Sequence, residues 1–192
     1  MSEAFLDTDR SLHPLWQEPI ESAATVHDLL CEPCEIAIAR HLNARWHSRL
    51  PKTQPSPWQF AFAAHKTGFV YAVALWHNPS ARTLPSHWLE LRRLAIAPDA
   101  PHCTASWMLA QMARWFVRFC PERERLISYQ DLAVHTGTIY RAAGWKEGHR
   151  SPPRRRDRSK PRVGTFGKRD YRSSLNGIEP DIAGKVRWER VL

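Results

Sequence analysis

The run WQFAFAAHKTGFVYAVALWHNP, Trp58 to Pro79, constrains the fold of this chain more than any other. Two stretches rich in aromatic and β-favouring residues flank HKTG, which is the pattern of a hairpin. A hairpin needs further strands or helices to bury its apolar face, and the rest of the chain supplies both. Ahead of it, IESAATVHDLL and PCEIAIARHLNARW show helical apolar spacing, and Pro33 suits the first turn of the second helix. WHSRLPKTQPSP, with its three prolines, is a loop. After the hairpin, HWLELRRLAIAP reads as an alternating strand. TASWMLAQMARWFVRFC is the clearest helix, with Thr104 placed to cap it. Trp107, Leu109, Met112, Trp115, Phe116 and Phe119 fall on its expected buried side. ERLISYQD is another strand, TGTIYRAAGW a short helix closed at Gly144, and KVRWERVL a last strand returning to the sheet. This order predicts an α/β (α+β) fold with a mixed sheet flanked by helices.

The 192 residues, 43% of them hydrophobic, suit one domain with an appended segment. The expected divisions are a flexible N-terminus over 1–18, a catalytic domain over 19–149, a basic loop over 150–182 and the closing strand over 183–192. No apolar run reaches the ~18 residues of a membrane span. MSEAFLDTDRSLH lacks a signal-peptide core, so a cytoplasmic protein is expected. The CEPC motif, Cys31 to Cys34, has the spacing of half a zinc site or a redox pair. No second C-x-x-C follows it, so two ordinary reduced thiols are expected.

The net charge of +9 favours an anionic partner, and nucleic acid is the commonest reason for such an excess. The charge concentrates in SPPRRRDRSKPRVGTFGKRDYRS, where Arg154, Arg155, Arg156, Arg158 and Lys160 are the expected contacts to DNA phosphates. The nine tryptophans, several near loops or strand ends beside arginines, serve equally as core or as rings for stacking on an extruded base.

Polar groups crowd the end of the ERLISYQD strand: Ser128, Tyr129, Asp131, His135, Thr136, Thr138 and Tyr140. Side chains just past a strand end line a cleft, because the loops diverge there. Ser128 and Gln130 share one face of the strand, and Tyr129 and Asp131 share the other. Asp131 and His135, four apart, could fix an imidazole tautomer and take a proton from an exocyclic amine, or could bind a metal; Tyr140 could act as general acid. A hydrogen-bonded strand end without chemistry is the plain alternative. Arg92 and Arg93 are expected on opposite strand faces, with Glu90 paired to Arg92. His47 would be a third metal ligand beside Asp131 and His135, a set suited to Fe(II); a surface histidine is the alternative.

The element order and these residues resemble the GNAT (Gcn5-related N-acetyltransferase) fold. There a strand leads into a long helix whose start holds the cofactor pyrophosphate, and the next strand splays away to open a cleft. Tyr140, Gly144 and Trp145 match its Tyr-x-x-x-Gly-Phe-like pattern, whose Tyr often protonates the departing thiolate. The chain is similar, more narrowly, to the Mom-like phage DNA-modification proteins. ELRRL (Glu90 to Leu94), Ser106, SYQD (Ser128 to Asp131), HTGTIYRAAGW and WHSRLP carry that resemblance over about residues 20–148 and the final strand.

The resemblance implies a mostly antiparallel GNAT-like sheet with splayed central strands. It also implies transfer of a carbamoylmethyl-type group to N6 of adenine in double-stranded DNA, shielding phage or mobile-element DNA from restriction. On it, Asp131, His135, Tyr140 and Ser128 are candidates for chemistry, and Ser106, Thr104, Arg93 and Tyr140 for holding a cofactor. His47 and Arg49 join the basic loop as DNA contacts. The cofactor would be an acyl-CoA-like donor or Fe(II), and a dimer is compatible. Two departures stand out: Thr104 and Ser106 occupy the places of the usual pyrophosphate-turn glycines, and His102 and Cys103 replace a Mom-like Asn. An acyl-CoA-dependent N-acetyltransferase for a small amine or protein, and a non-catalytic DNA-binding module, are the rival readings.

Overall fold

The computed structural model describes residues 23, 25–53, 57–67, 69–152 and 184–192. Seven strands form one sheet: β1 (Leu30–Pro33), β2 (Trp58–Lys66), β3 (Phe69–His77), β4 (Trp88–Ile96), β5 (Arg125–Asp131), β6 (Lys146–Ser151) and β7 (Lys185–Val191). Their spatial order is β1-β2-β3-β4-β5-β7-β6. Only β4 and β5 run parallel; every other neighbouring pair is antiparallel. The helices are α1 (Ile36–Trp46), α2 (Thr104–Phe119) and α3 (Thr138–Ala142). The α/β class, the hairpin over Trp58 to His77 and the late returning strand stand as expected.

Two cores sandwich the sheet. One packs Met108, Leu109, Met112 and Phe116 of α2, with Tyr140, Ala143 and Trp145, against Phe62, Trp76, Leu89, Leu91, Leu126 and Trp188. The other packs Ala39 and Leu42 of α1 against Ala61, Ala63, Val73, Leu75 and Ala95. Long alternating strands can serve both layers because successive side chains leave opposite faces.

β4 breaks that alternation. Leu75 pairs with Arg93 but Trp76 pairs with Leu91, so Arg92 is an extra residue in a bulge. Leu89 and Leu91 lie in the α2-side core, and so do Leu94 and Ile96, three and five residues beyond Leu91. Arg92 and Arg93 therefore both fall toward the α1 side, which corrects the expectation of opposite faces. Glu90, on the same side, pairs with Arg92 at 3.0 Å as expected.

The parallel pairing of β4 with β5 covers only Trp88–Leu91 against Arg125–Ser128. β4 continues to Ile96 and β5 to Asp131, so the two strands part beyond Leu91 and Ser128. This is the splay expected of the fold.

Other expectations fail locally. In place of the first helix there is a three-residue 3-10 turn, Val26–Asp28, closed by a Thr25–Asp28 capping box. Pro33 lies in β1, not in a helical first turn, and α1 starts at Ile36. An edge strand tolerates a residue without an N–H, which is why Pro33 can sit there. Phe119 is 54% exposed and packs against the Trp115 ring of its own helix, away from its expected place in the core. Thr104 is the first residue of α2 and not its cap: its hydroxyl donates to the Pro101 carbonyl at 2.6 Å. β6, KEGHRS, has no apolar alternation to mark it in the sequence; its pairing with β7 forms it. Cys31 and Cys34 are free thiols, as expected, and burial pushes both up to about 12.

Among the described residues, no helix is long and apolar enough to cross a membrane. The expectations for residues 1–18 and for Arg154, Arg155, Arg156, Arg158 and Lys160 lie outside the described residues. Of that basic stretch only the first residues, to Pro152, are described, and the chain is described again from Gly184. Ser151 pairs with Lys185, Asp131 pairs with Lys185 across β5, and Leu132 N–H donates to the Gly184 carbonyl at 3.1 Å. Ser151 and Gly184, which flank the residues not described, thus lie at the Asp131 end of β5.

Candidate active site

The polar strand end is divided by β5 itself. Ser128 and Gln130 point to the α2 side, where they meet α3 and β7. Ser128 Oγ lies 2.9 Å from the Tyr140 hydroxyl and 3.4 Å from the Leu91 carbonyl, at the last paired rung before the splay. Tyr140 is buried; its ring stacks on Trp188 (5.4 Å, 12°) and packs at 5.7 Å from Trp145. Burial pushes the Tyr140 phenol up, against a smaller lowering by the Ser128 hydrogen bond, so the group is protonated at neutral pH. The Trp188 indole N–H donates to Gln130 Oε1 at 2.7 Å, and the Gln130 amide donates to the His135 carbonyl. The turn into α3 needs Gly137 (φ +77°), since a Cβ there would lie 2.6 Å from Gln130 Oε1 and 2.6 Å from the Trp188 ring. Tyr140 is thus held from three directions in one position.

Asp131 points to the α1 side. Its Oδ1 accepts the Ala133 N–H at 3.0 Å, and its Oδ2 lies 4.0 Å from Arg49. Arg49 and His47 arrive on the loop that follows α1. Asn43, fully buried, holds that loop through its amide, which donates to the Leu50 and Pro51 carbonyls at 3.0 Å each. Leu50 N–H donates to His47 Nδ1 at 3.2 Å, so the neutral imidazole carries its proton on Nε2. His47 is lowered to about 4, first by burial and then by the positive charges of Arg93 and His135. His47 thus lies on the same loop as Arg49, the residue that faces Asp131.

The carboxylate–imidazole pair expected of Asp131 and His135 does not form. What joins them is backbone: His135 N–H donates to the Asp131 carbonyl at 3.1 Å while the His135 side chain is exposed. The metal set of His47, Asp131 and His135 is likewise corrected. Among the described residues no three His, Cys, Asp or Glu side chains converge to hold a metal ion. Asp131 is turned to an amide and a guanidinium, and His47 spends one nitrogen on Leu50, so these residues do not fit Fe(II).

The start of α2 lies beside the splay. Its N-cap, Cys103, has φ +68° and no side chain caps the helix amides. The glycine-type backbone geometry is therefore kept at Cys103 although glycine is absent. Cys103 Sγ lies 3.0 Å from His102 Nδ1. The hydroxyls of Thr104 and Ser106 donate inward, to Pro101 (2.6 Å) and Cys103 (3.1 Å) carbonyls. What they leave for an anionic group is the helix amides. Arg93 is 6% exposed and its Nη1 donates to the Arg92 carbonyl at 2.8 Å. Sequence reasoning missed Trp188 as the ring under Tyr140; the signal was the alternation of Val186 and Trp188 in the last strand.

Residues 65–155 match the Mom protein family. No curated protein is significantly similar in sequence. Among solved structures, the chain is similar to a Bacillus subtilis acetyltransferase in complex with CoA (TM-score 0.53, 11% identity, 85% of this chain and 99% of that one). It is equally similar to a GNAT-family acetyltransferase from Streptococcus pneumoniae (0.53, 12%, 85% and 99%). A ribosomal-protein-alanine N-acetyltransferase from Brucella melitensis follows (0.52, 14%, 85% and 99%). The fold is that of the GNAT acetyltransferases, and the stretch from the end of β2 through β6 is Mom-like.

Proposed function

From a chain that is Mom-like across its splay and GNAT in fold, we propose a transferase that modifies DNA, placing a carbamoylmethyl-type group on N6 of adenine. The observation that carries this reading is the position of the Mom match. Residues 65–155 span the β4 bulge, the splay, the Ser128–Tyr140 couple and the Asp131 turn. Around it the chain supplies positive charge: Arg49 beside Asp131, and a basic stretch whose flanking residues, Ser151 and Gly184, lie at the same end.

The two sides of β5 divide the work. The transfer forms a bond from N6 of adenine to carbon and breaks the bond from that carbon to its leaving atom. Tyr140, protonated and fixed by Ser128 and Trp188, gives its proton to the leaving atom from the α2 side. Asp131, on the α1 side, takes the proton that N6 releases, its carboxylate oriented by the Ala133 N–H with Arg49 nearby. His47, neutral and with its proton on Nε2, is a donor to a ring nitrogen or carbonyl and not a base. A paired adenine must leave the duplex to reach this gap, and the basic surroundings hold the flanking phosphates.

The fold implies an acyl-CoA-like donor, and the residues fit one at two points. The uncapped amides at the start of α2 can receive phosphate, and Tyr140 stands at the inner end of the gap. Bound there, such a donor would present the CH2 of the carbamoylmethyl group on an activated leaving atom, since transfer from a thioester carbonyl would give an N6-acyl adenine instead. The same two features favour a second reading, an N-acetyltransferase acting on another amine. Mass analysis of nucleosides from DNA of cells expressing the protein separates them. A mass-shifted deoxyadenosine, absent with Tyr140→Phe, is expected. Only unmodified nucleosides from a soluble protein that consumes acetyl-CoA would overturn the DNA reading in favour of the second.

A further inference from the structure

On the α1 side of the sheet, α1 packs on β2, β3 and β4. Beyond it the same side continues over β5, β7 and β6, and its side chains follow one pattern. Along β7, Glu189, Arg187 and Lys185 face this way, beside Ile127, Tyr129 and Asp131 of β5. Lys146 of β6 pairs with Glu189 and His149 with Arg187. At the lower end Trp88 carries the Arg125 guanidinium 4.5 Å from its ring centre and that of Arg187 at 5.9 Å.

One carboxylate organises both arginines. Glu189 Oε1 accepts from Arg187 Nε at 2.8 Å, and Glu189 Oε2 accepts from Arg125. Two guanidiniums on one carboxylate leave a net positive charge, and Lys146 and Lys185 add to it. Tyr129 stands in the middle of this row, 38% exposed and directly opposite Arg187 across β5 and β7. A tyrosine exposed among anchored guanidiniums is neither core nor ordinary solvated surface. It is an aromatic face with the Arg187 and Lys185 cations of β7 beside it, the combination that takes a base on the ring and phosphates on the cations. Arg187 and Lys185 are two residues apart on a strand, roughly 7 Å. The row runs from Trp88 up to Asp131, so it ends at the candidate active site.

We propose that this face of β5, β7 and β6 is a track for one nucleic-acid strand, with Arg187 and Lys185 on its phosphates, Tyr129 under a base, and its upper end at Asp131. The track deepens the DNA-modifying reading and rests on it: it says which surface holds the strand next to the extruded adenine. A protein partner with an acidic segment would use the cations but not the ring, which is why the ring is the informative residue.

The test uses the full chain and labelled oligonucleotides, single-stranded and duplex, with fluorescence anisotropy across a salt series. Tyr129→Ala removes no buried partner and is expected to weaken single-strand binding about ten-fold. The double variant Lys146→Gln, Lys185→Gln is expected to flatten the slope of log affinity against log salt by roughly 0.7 for each phosphate the lysines no longer neutralise. Arg114→Gln, exposed on α2 across the sheet, is expected to change neither and serves as control. Thermal unfolding checks that each variant is folded. Folded Tyr129→Ala and double-lysine variants that bind both oligonucleotides like the wild type would overturn the track. So would a loss seen with duplex alone and none with single strands. Loss of binding in these variants together with unmodified cellular DNA would keep the track and sink the DNA-modifying activity. Modified DNA with unchanged binding would do the reverse.

Discussion

Toward its end, the two faces of β5 differ in burial and in charge. On the α2 side, Ser128 and Gln130 are buried and bonded into a set with Tyr140 and Trp188. On the α1 side, Tyr129 and Asp131 are partly exposed, and what surrounds them is charge: Arg49, Arg187 and, near His47, Arg93. A buried and fully bonded set changes little when a ligand arrives, so it suits a group whose position decides the chemistry. A charged and exposed set suits a polyanion that must be captured and oriented. One strand, by alternating, separates proton delivery from substrate capture.

The largest effect that should sharpen this contrast is on Tyr140. Tyr140→Phe keeps the Trp188 stack and removes only the hydroxyl. Modification of DNA is expected to drop by roughly 10²–10⁴-fold, the usual worth of a general acid, with oligonucleotide affinity unchanged. Gly137→Ala attacks the rigidity of the same face. A methyl group 2.6 Å from both Gln130 Oε1 and the Trp188 ring, at φ +77°, should destabilise the fold by roughly 2–3 kcal/mol, read as a lower urea midpoint.

The charged face should respond differently. Asp131→Asn retains the acceptor for Ala133 N–H and removes one negative charge. Stability should stay within about 0.5 kcal/mol, because the Arg49 contact is long and exposed. DNA affinity should rise slightly while modification falls, which no purely structural role would produce. A further effect is on pH dependence. Burial, then Arg93 and His135, lower His47 to about 4, so above about 6.5, the ordinary histidine value, both folded and unfolded states hold it neutral. Between about 6.5 and about 4 the unfolded chain takes up the proton first, and stability is lost as pH falls. Denaturation midpoints of the wild type should fall more between pH ~7 and ~5 than those of His47→Gln.

The parts of this molecule that sequence disclosed are those governed by short-range pattern. The hairpin, α2 and the polar end of β5 follow from alternation, helical spacing and a strand stop. Even the sharing of one face by Ser128 and Gln130 could be read from the period of two. What escaped was set by partners far along the chain. The bulge at Arg92 depends on the register of β3, and it moved Arg93 to the side of His47. Pro33 sits in a strand because β2 offers an edge. Asp131 and His135, four apart, suggested a pair, but the turn between them spends the carboxylate on Ala133 and Arg49. Tyr140 meets Trp188 across 48 residues, a stack no local pattern encodes.

The division of labour across β5 is tested most directly by measuring duplex affinity and adenine modification on one preparation of Tyr140→Phe. Binding equal to the wild type with modification nearly abolished is the expected result. Modification that persists at the wild-type level would contradict the account, since the buried face would then have no part in the chemistry.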